Sequence, residues 1–277
     1  MKVGLLVDIT HDYEGSLRKA KALGFDLGQL AIWDMNFYTE ENLTALKNLL
    51  QELDFTATDL WCGWSGPINW RYPEMYNTIG LVPEAYREQR TKELLRGARF
   101  AHELGVKNVI THLGYVPDNP CDKDHRGVVE ALRVIGSELG ARGQTFALET
   151  GDNIPLTLGV MIRETGMDNI GINLDPANLL IDGRANPVDA LELFGSHVYG
   201  MHAKDAIPAK FGELCGSERP IGKGNVDFET LIRKLKEIGY AGHISIEHEI
   251  HKSPDRDQDI RKAKVYLESL IAKTYND

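Results

Sequence analysis

The chain has 277 residues, with 31 Lys and Arg against 41 Asp and Glu, and its formal net charge is −10. Its 42% hydrophobic and 26% charged residues are ordinary for a globular protein and exclude a collagen-like, coiled-coil or disordered chain. The acidic balance disfavours binding to nucleic acid, because phosphate backbones are themselves negative.

The cysteines and the N-terminus indicate the compartment. Cys62, Cys121 and Cys215 are an odd number without close spacing, so we expect free thiols in a reducing environment. The N-terminus reaches Asp8 before a secretory apolar core could form, and no apolar run approaches the ~20 residues of a membrane span. We therefore expect a cytoplasmic protein that does not bind a membrane.

Short apolar runs alternate along the chain with longer stretches that carry apolar residues at three- and four-residue intervals, the spacing of helices. Eight runs are predicted to be strands: Val3–Asp8, Leu27–Ile32, Phe55–Trp61, Asn108–Leu113, Thr145–Glu149, Ile170–Asp175, Val198–His202 and Ile244–His248. Eight such units in ~250 residues predict an α/β fold, the (β/α)8 TIM barrel, as one domain over residues 1–277. A doubly wound open sheet is the alternative. The irregular stretch 62–83 is predicted to be a functional loop or lid.

Polar residues stand where the last four predicted strands end: Glu149, Asp175, His202 and Glu247. In a (β/α)8 barrel these ends meet at the active site. Three carboxylates in one dry pocket would repel each other unless a cation intervened, so the pattern favours one divalent metal ion. Oxygen ligands with one imidazole suit Mn²⁺, Mg²⁺, Co²⁺ or Zn²⁺. The alternative for any one of these residues is an acid that caps the next helix or pairs with a lysine.

Longer motifs around these positions resemble those of the xylose-isomerase-like TIM barrels, a superfamily of sugar phosphate isomerases and epimerases. They are Asp175-Pro-Ala-Asn, His202-Ala-Lys-Asp, Gly222-Lys-Gly-Asn-Val-Asp-Phe and Gly239-Tyr-Ala-Gly-His-Ile-Ser-Ile-Glu. The resemblance spans nearly the whole chain. It implies that the four strand-end residues bind the metal, and that Glu149 and Glu247 flank the substrate and exchange a proton with it.

This chemistry would act on a sugar or keto-sugar derivative. Removing a proton beside a carbonyl leaves an enediolate, which a divalent ion stabilises. Two carboxylates on opposite faces of the carbon would epimerise it, whereas acids along one face would give aldose–ketose isomerisation. The alternatives are a metal-dependent lyase or hydrolase that acts on a keto-sugar glycoside with the same site, and a non-catalytic sugar-binding barrel.

The chain departs from the family pattern at Asn178, where many members have a histidine. A trinuclear nuclease site of the kind found on this fold is therefore not expected. Some ketose epimerases also place a basic residue shortly after the histidine of the seventh strand, and Ala206-Ile207-Pro208 follows Asp205 here.

Four further residues are predicted to bind substrate: His112, Asn178, Lys204 and Trp61. His112 has the alternative of orienting Glu149, and Lys204 that of a surface salt bridge. His248, Glu249 and His251 are interpreted as structural or rim groups. An aromatic rim is predicted from Trp33, Trp61, Trp64 and Trp70 with Phe37, Tyr38, Tyr72 and Tyr76. This rim suits the faces of a sugar, and packing of the loop or a subunit contact is the alternative; a homo-oligomer is expected.

Overall fold

The structure of the chain is a computed structural model that describes residues 1–250 and 253–276, so His251 lies outside the described residues. Eight parallel strands close into a barrel: β1 (Lys2–Asp8), β2 (Leu27–Ile32), β3 (Thr56–Cys62), β4 (Asn108–Thr111), β5 (Thr145–Glu149), β6 (Ile170–Leu174), β7 (Val198–Ala203) and β10 (His243–Ile246). Their order around the barrel is β1-β10-β7-β6-β5-β4-β3-β2. Because β1 pairs with both β2 and β10, the sheet has no open edge. The predicted (β/α)8 barrel is confirmed, and the open sheet is excluded.

Helices surround the barrel and connect its strands. They are α1 (Tyr13–Ala22), α2 (Glu40–Glu52), α3 (Met75–Thr78), α4 (Glu84–Leu104), α5 (Lys123–Gly140), α6 (Pro155–Thr165), α7 (Pro176–Ile181), α8 (Pro187–Phe194), α9 (Phe228–Glu237) and α10 (Arg256–Asn276). Most begin at a side chain that accepts a backbone N–H of the first turn, as Asp12, Thr39 and Asp227 do. No helix in the described ranges is both long and apolar enough to cross a membrane.

Two strands of the barrel, β4 and β6, are buried on both faces, since the helices cover the outside and side chains fill the inside. Every residue of β4 and of β6 is buried. A strand that is buried on both faces need not alternate apolar and polar residues. Most strand ends agree with the prediction within one or two residues.

One sheet was not predicted. The strands β8 (Asp205–Ile207) and β9 (Ser217–Arg219) form a two-stranded antiparallel sheet at the C-terminal end of β7. Three-residue strands contain too few positions for a hydrophobic alternation to be recognised. The sheet matters for function because it begins three residues after His202 and borders the same end of the barrel.

Candidate active site

Four adjacent strands bring the predicted strand-end residues together. Glu149 is the last residue of β5, Asp175 follows β6, His202 lies in β7 and Glu247 follows β10. Each offers one ligand atom, and these atoms all lie within 4.8 Å of one another. The four side chains therefore form one cluster at the C-terminal end of the barrel, where the active sites of this fold lie.

Asp175 has one carboxylate oxygen used by the fold and one that faces the cluster. Its Oδ1 accepts the backbone N–H of Asn178 at 2.9 Å and starts α7, whose first position is Pro176. Its Oδ2 is buried, has no hydrogen-bond partner, and lies 3.7 Å from Nδ1 of His202. A buried carboxylate oxygen without a hydrogen-bond partner is costly, so Oδ2 has the chemistry and the position of a ligand to a cation.

The imidazole of His202 is fully buried and has a different environment at each nitrogen. Nδ1 faces the carboxylates, at 3.0 Å from Glu149 Oε1 and 3.2 Å from Glu247 Oε2. Nε2 lies 2.7 Å from Oε1 of Gln29, a residue of β2. Nδ1 is therefore the ring nitrogen that could bind the same metal ion as the three carboxylates.

The two glutamates have different neighbours. Glu149 Oε2 accepts the indole N–H of Trp61 at 2.5 Å, and Glu149 Oε1 lies 3.4 Å from Nδ2 of Asn178. The Glu149 side chain is 2% exposed, whereas that of Glu247 is 13% exposed and lies 3.3 Å from the ammonium of Lys204. Glu149 is thus held inside the barrel by the indole and carboxamide N–H groups beside His202 and His112, whereas Glu247 lies nearer the opening beside Lys204.

The pKa of each ionisable side chain in this cluster is shifted by the charges of its neighbours. Burial lowers the pKa of His202, but the carboxylates of Glu149 and Glu247 outweigh it and raise that pKa well above its ordinary value. Burial raises the pKa of Glu247, yet Lys204 and His202 together hold it well below its ordinary value. Burial raises the pKa of Asp175 to about 6 despite the nearby Lys204. Neighbouring cations therefore outweigh burial at Glu149 and Glu247, whereas burial outweighs them at Asp175.

Three carboxylates and one imidazole within this distance fit one divalent cation. Oxygen donors with a single nitrogen suit Mn²⁺, Mg²⁺, Co²⁺ and Zn²⁺ alike, so the donor set does not select one of them. The orphaned Asp175 Oδ2 supports the fit, because an ion would supply the partner that the protein does not.

His112 follows β4 directly and lies beside the cluster. Its Nε2 is 3.5 Å from Glu149 Oε2, and its Nδ1 is 3.2 Å from Asp152 Oδ2. Burial opposes a charge on His112, but Asp152 and Glu149 outweigh it and raise its pKa to about 10. Both predicted interpretations of His112, as a substrate contact and as a group orienting Glu149, are compatible with this position.

Lys204 points into the same end of the barrel, as the two-residue spacing from His202 predicts. Its side chain is 3% exposed, and its Nζ lies 3.8 Å from Asp175 Oδ2 and also contacts Glu249 at the rim. The alternative for Lys204 was a salt bridge with Asp205 or another acid, and Lys204 does pair with Glu247 and with Glu249 at the rim. Asp205 is not its partner, because that carboxylate accepts N–H groups of Gly222, Gly224 and Val226.

The predicted aromatic rim is only partly exposed. Trp61 and Trp64 are 5% and 2% exposed, and Phe37 and Tyr38 belong to the core, so these four side chains do not form a rim. The exposed aromatic side chains of the segment are Trp70, Tyr72 and Tyr76. The Trp70 ring contacts His112 with 5.1 Å between centroids, which places the remaining rim beside the cluster.

Two polar residues of the site were not found in the sequence. Asp152 contacts His112, and Gln29 contacts His202. Gln29 could have been recognised from the sequence, because it is the single polar side chain in the run Leu27–Ile32. A polar residue within a strand that is buried on both faces needs a partner inside the barrel.

Comparisons with known proteins match the fold and most of the length of the chain. Residues 17–270 match the family model described as the xylose isomerase-like TIM barrel. L-ribulose-5-phosphate 3-epimerase UlaE of Escherichia coli (strain SE11) is 26% identical over 275 residues, which cover 93% of this chain and 89% of that protein.

Two solved structures have the same architecture. A xylose isomerase domain protein from Planctomyces limnophilus is 29% identical, with a TM-score of 0.92 and coverage of 99% of both chains. D-psicose 3-epimerase from Clostridium cellulolyticum H10, solved with D-tagatose, is 19% identical, with a TM-score of 0.73 and coverage of 98% of this chain and 99% of that one. The expectation that this chain is an enzyme is confirmed, since its relatives are enzymes.

Proposed function

The chain belongs to the xylose isomerase-like TIM barrel family, and we propose that it is a divalent-metal-dependent isomerase or epimerase of a sugar or keto-sugar derivative. The observation that carries the proposal is the convergence of Glu149, Asp175, His202 and Glu247 within 4.8 Å. The relative in E. coli is named as a sugar phosphate epimerase, which agrees with this reaction class.

Glu149 and Glu247 are the proposed proton carriers. They stand on β5 and just after β10, the outer members of four adjacent strands, with Asp175 and His202 between them. A substrate carbon held above the cluster would have one carboxylate on each side. One glutamate, as the carboxylate, would remove the proton beside the carbonyl and give an enediolate. The other, entering this step as the protonated acid, would give its proton to the opposite face, and proton exchange with water would restore both groups.

The neighbours of the two glutamates would keep them in place during this exchange. Trp61 and Asn178 hold Glu149, and Lys204 holds Glu247. A divalent ion bound by the four residues would stabilise negative charge on the substrate oxygen. Mn²⁺ is the ion we propose to test first, against Mg²⁺, Co²⁺ and Zn²⁺. His112 and Lys204 are the proposed contacts to substrate hydroxyl groups. Asn178 and Trp61, which contact Glu149, are proposed to touch the substrate as well.

The test is exchange of substrate hydrogen with solvent. The Mn²⁺-loaded protein is incubated in D₂O with a panel of ketoses and keto-sugars, and deuterium incorporation and stereoisomers are measured by NMR and mass spectrometry. We expect deuterium at the carbon beside the carbonyl, and a loss of turnover of about 10²–10⁴-fold in Glu149→Gln and in Glu247→Gln.

Glu237→Gln is the matched control, because Glu237 is an exposed glutamate of α9 away from the cluster. Full turnover by Glu149→Gln, together with no stoichiometric divalent metal in the wild-type protein, would overturn the proposal.

We further propose that the substrate carries no phosphate. TIM barrels often bind phosphate at the loops after the seventh and eighth strands. In this chain the backbone N–H groups of Gly222, Gly224 and Val226 in that region already donate to the Asp205 carboxylate, at 2.8–3.0 Å. We expect a free ketose to be used with at least about tenfold higher kcat/KM than its 5-phosphate. The reverse preference would contradict this substrate class but not the reaction.

A lyase or hydrolase that acts on a keto-sugar glycoside is the second candidate. The exposed Trp70, Tyr72 and Tyr76 favour it, because a glycoside needs a wider apolar surface beside the site than a free sugar does. Release of an aglycone would support this candidate, and a product that is only a stereoisomer of the substrate would exclude it.

The cytoplasmic location and the homo-oligomer stay predictions.

A further inference from the structure

His202 can bind a metal ion through only one of its ring nitrogens, and the structure distinguishes them. Nδ1 faces three carboxylates, with Glu149 at 3.0 Å, Glu247 at 3.2 Å and Asp175 at 3.7 Å. Nε2 faces away from them and lies 2.7 Å from Oε1 of Gln29. A neutral imidazole has one N–H and one lone pair, so the ligand nitrogen must be the one without the proton.

Gln29 is an unusual residue for its position. It lies in β2, is 1% exposed, and every other residue of the run Leu27–Ile32 is apolar or glycine. In the barrel order β1 and β10 separate β2 from β7, so the Gln29 side chain reaches His202 through the barrel interior. Burying a carboxamide among apolar side chains costs free energy unless it has a specific partner.

We propose that Gln29 is a positioning residue for His202, whose Nε2–H its carboxamide oxygen accepts, so that the Nδ1 lone pair is directed at the divalent ion. This rests on the proposed function, since it assumes that the cluster binds a metal. Metal-bound histidines usually donate their second ring N–H to an oxygen acceptor, and the Gln29 carboxamide oxygen, 2.7 Å from Nε2, is in position to be that acceptor.

The prediction is tested by the affinity for Mn²⁺, measured by titration calorimetry on the full chain after removal of bound metal. We expect Gln29→Leu to weaken Mn²⁺ binding by about 10–100-fold, the usual effect of removing the partner that orients a metal-bound histidine. Gln29→Glu keeps an acceptor and is expected to restore binding to within about threefold of the wild type.

Gln144→Leu is the matched control. Gln144 is another buried glutamine, and it donates to the backbone oxygens of Ala98 and Val106 at 3.0 and 3.2 Å, away from the cluster. We expect this variant to be less stable to urea but to bind Mn²⁺ as the wild type does. Equal Mn²⁺ affinity of folded Gln29→Leu and wild type would overturn the role of Gln29.

The tautomer itself gives a readout that needs no variant. In the wild-type protein loaded with the diamagnetic ion Zn²⁺, ¹⁵N NMR of the histidine rings is expected to place the His202 proton on Nε2. A proton on Nδ1 would overturn the inference even if Gln29→Leu fails to fold. Absence of Mn²⁺ and Zn²⁺ binding to the wild type would instead overturn the proposed function.

Discussion

At the scale of single residues, hydrogen bonds donated to the carboxylates fix the geometry of the site. Trp61 was expected to contact substrate, and the structure adds a contact to Glu149, whose Oε2 accepts its indole N–H at 2.5 Å. Asn178 Nδ2 approaches the other oxygen of the same carboxylate. A hydrogen bond to a charged group is worth about 1.5–3 kcal/mol, enough to decide where a carboxylate points.

Trp61→Phe is expected to keep the fold and reduce kcat by about tenfold or more. The substitution retains the apolar ring and removes the N–H that holds Glu149. Steady-state kinetics measures the effect, with Trp33→Phe as the control. The Trp33 ring packs against Trp61 and Trp64, and no hydrogen bond joins its side chain to the described cluster residues. Equal losses in both variants would assign the effect to packing.

The three thiols are expected to react in two classes. Cys121 and Cys215 are exposed, whereas Cys62 is fully buried, and burial raises the pKa of its thiol to about 12. At pH 8 the Cys62 thiol is therefore protonated as well as inaccessible. Titration with a chromophoric disulfide should modify two thiols per native chain and three after denaturation. Rapid modification of three in the native protein would contradict the burial of Cys62.

At the scale of elements, one buried arginine organises the segment between β3 and α4 that was predicted to be a loop or lid. Arg90 of α4 donates to four backbone oxygens of this segment, those of Ser65, Pro67, Thr78 and Gly80, at 2.7–3.1 Å. The segment includes Trp70, which contacts His112. The remaining aromatic rim beside the site is therefore held by α4 together with the short helix α3, in which Tyr76 lies.

Arg90→Leu is expected to lower the free energy of unfolding by roughly 3 kcal/mol or more, because several buried backbone oxygens lose their donor. Urea denaturation measures this loss, and limited proteolysis is expected to cut within 64–82 first. Arg99→Leu is the control on the exposed face of the same helix. Equal stability of the two variants would show that Arg90 does not hold the segment.

At the scale of the whole molecule, the excess of acidic residues includes three that lie together at the candidate active site. The chain carries a formal charge of −10, and three of its acids meet within 4.8 Å. Bringing these acids together opposes folding, and an ion that binds only the folded state opposes unfolding by mass action.

Mn²⁺ at 100 times its dissociation constant is therefore expected to stabilise the protein by about 2.7 kcal/mol and to raise Tm by roughly 5–10 °C. Differential scanning calorimetry with and without a chelator measures the shift. Asp175→Asn should abolish it while keeping the start of α7, since asparagine also caps helices. An unchanged Tm in the wild type would contradict metal binding at the cluster.

Much of the fold could be predicted because the signals are local. An apolar run and a helical repeat are visible within ten to twenty residues, and counting eight of each predicted the closed barrel that β1 completes by pairing with β10. Glu149, Asp175, His202 and Glu247 could be named for the same reason, because each stands at or near the end of its own strand.

What the tertiary structure decided is how side chains distant in sequence face each other. Gln29 and His202 are 173 residues apart, and Trp61 and Glu149 are 88 residues apart, so no local pattern relates them. The burial of Trp61 and Trp64, which removes them from the rim, likewise depends on what covers them. The sequence by itself determined the strands, the helices and the strand-end acids, because those follow from local periodicity. Only closure of the barrel decided which nitrogen of His202 faces the acids and which side chains hold Glu149, because these depend on contacts across the barrel interior.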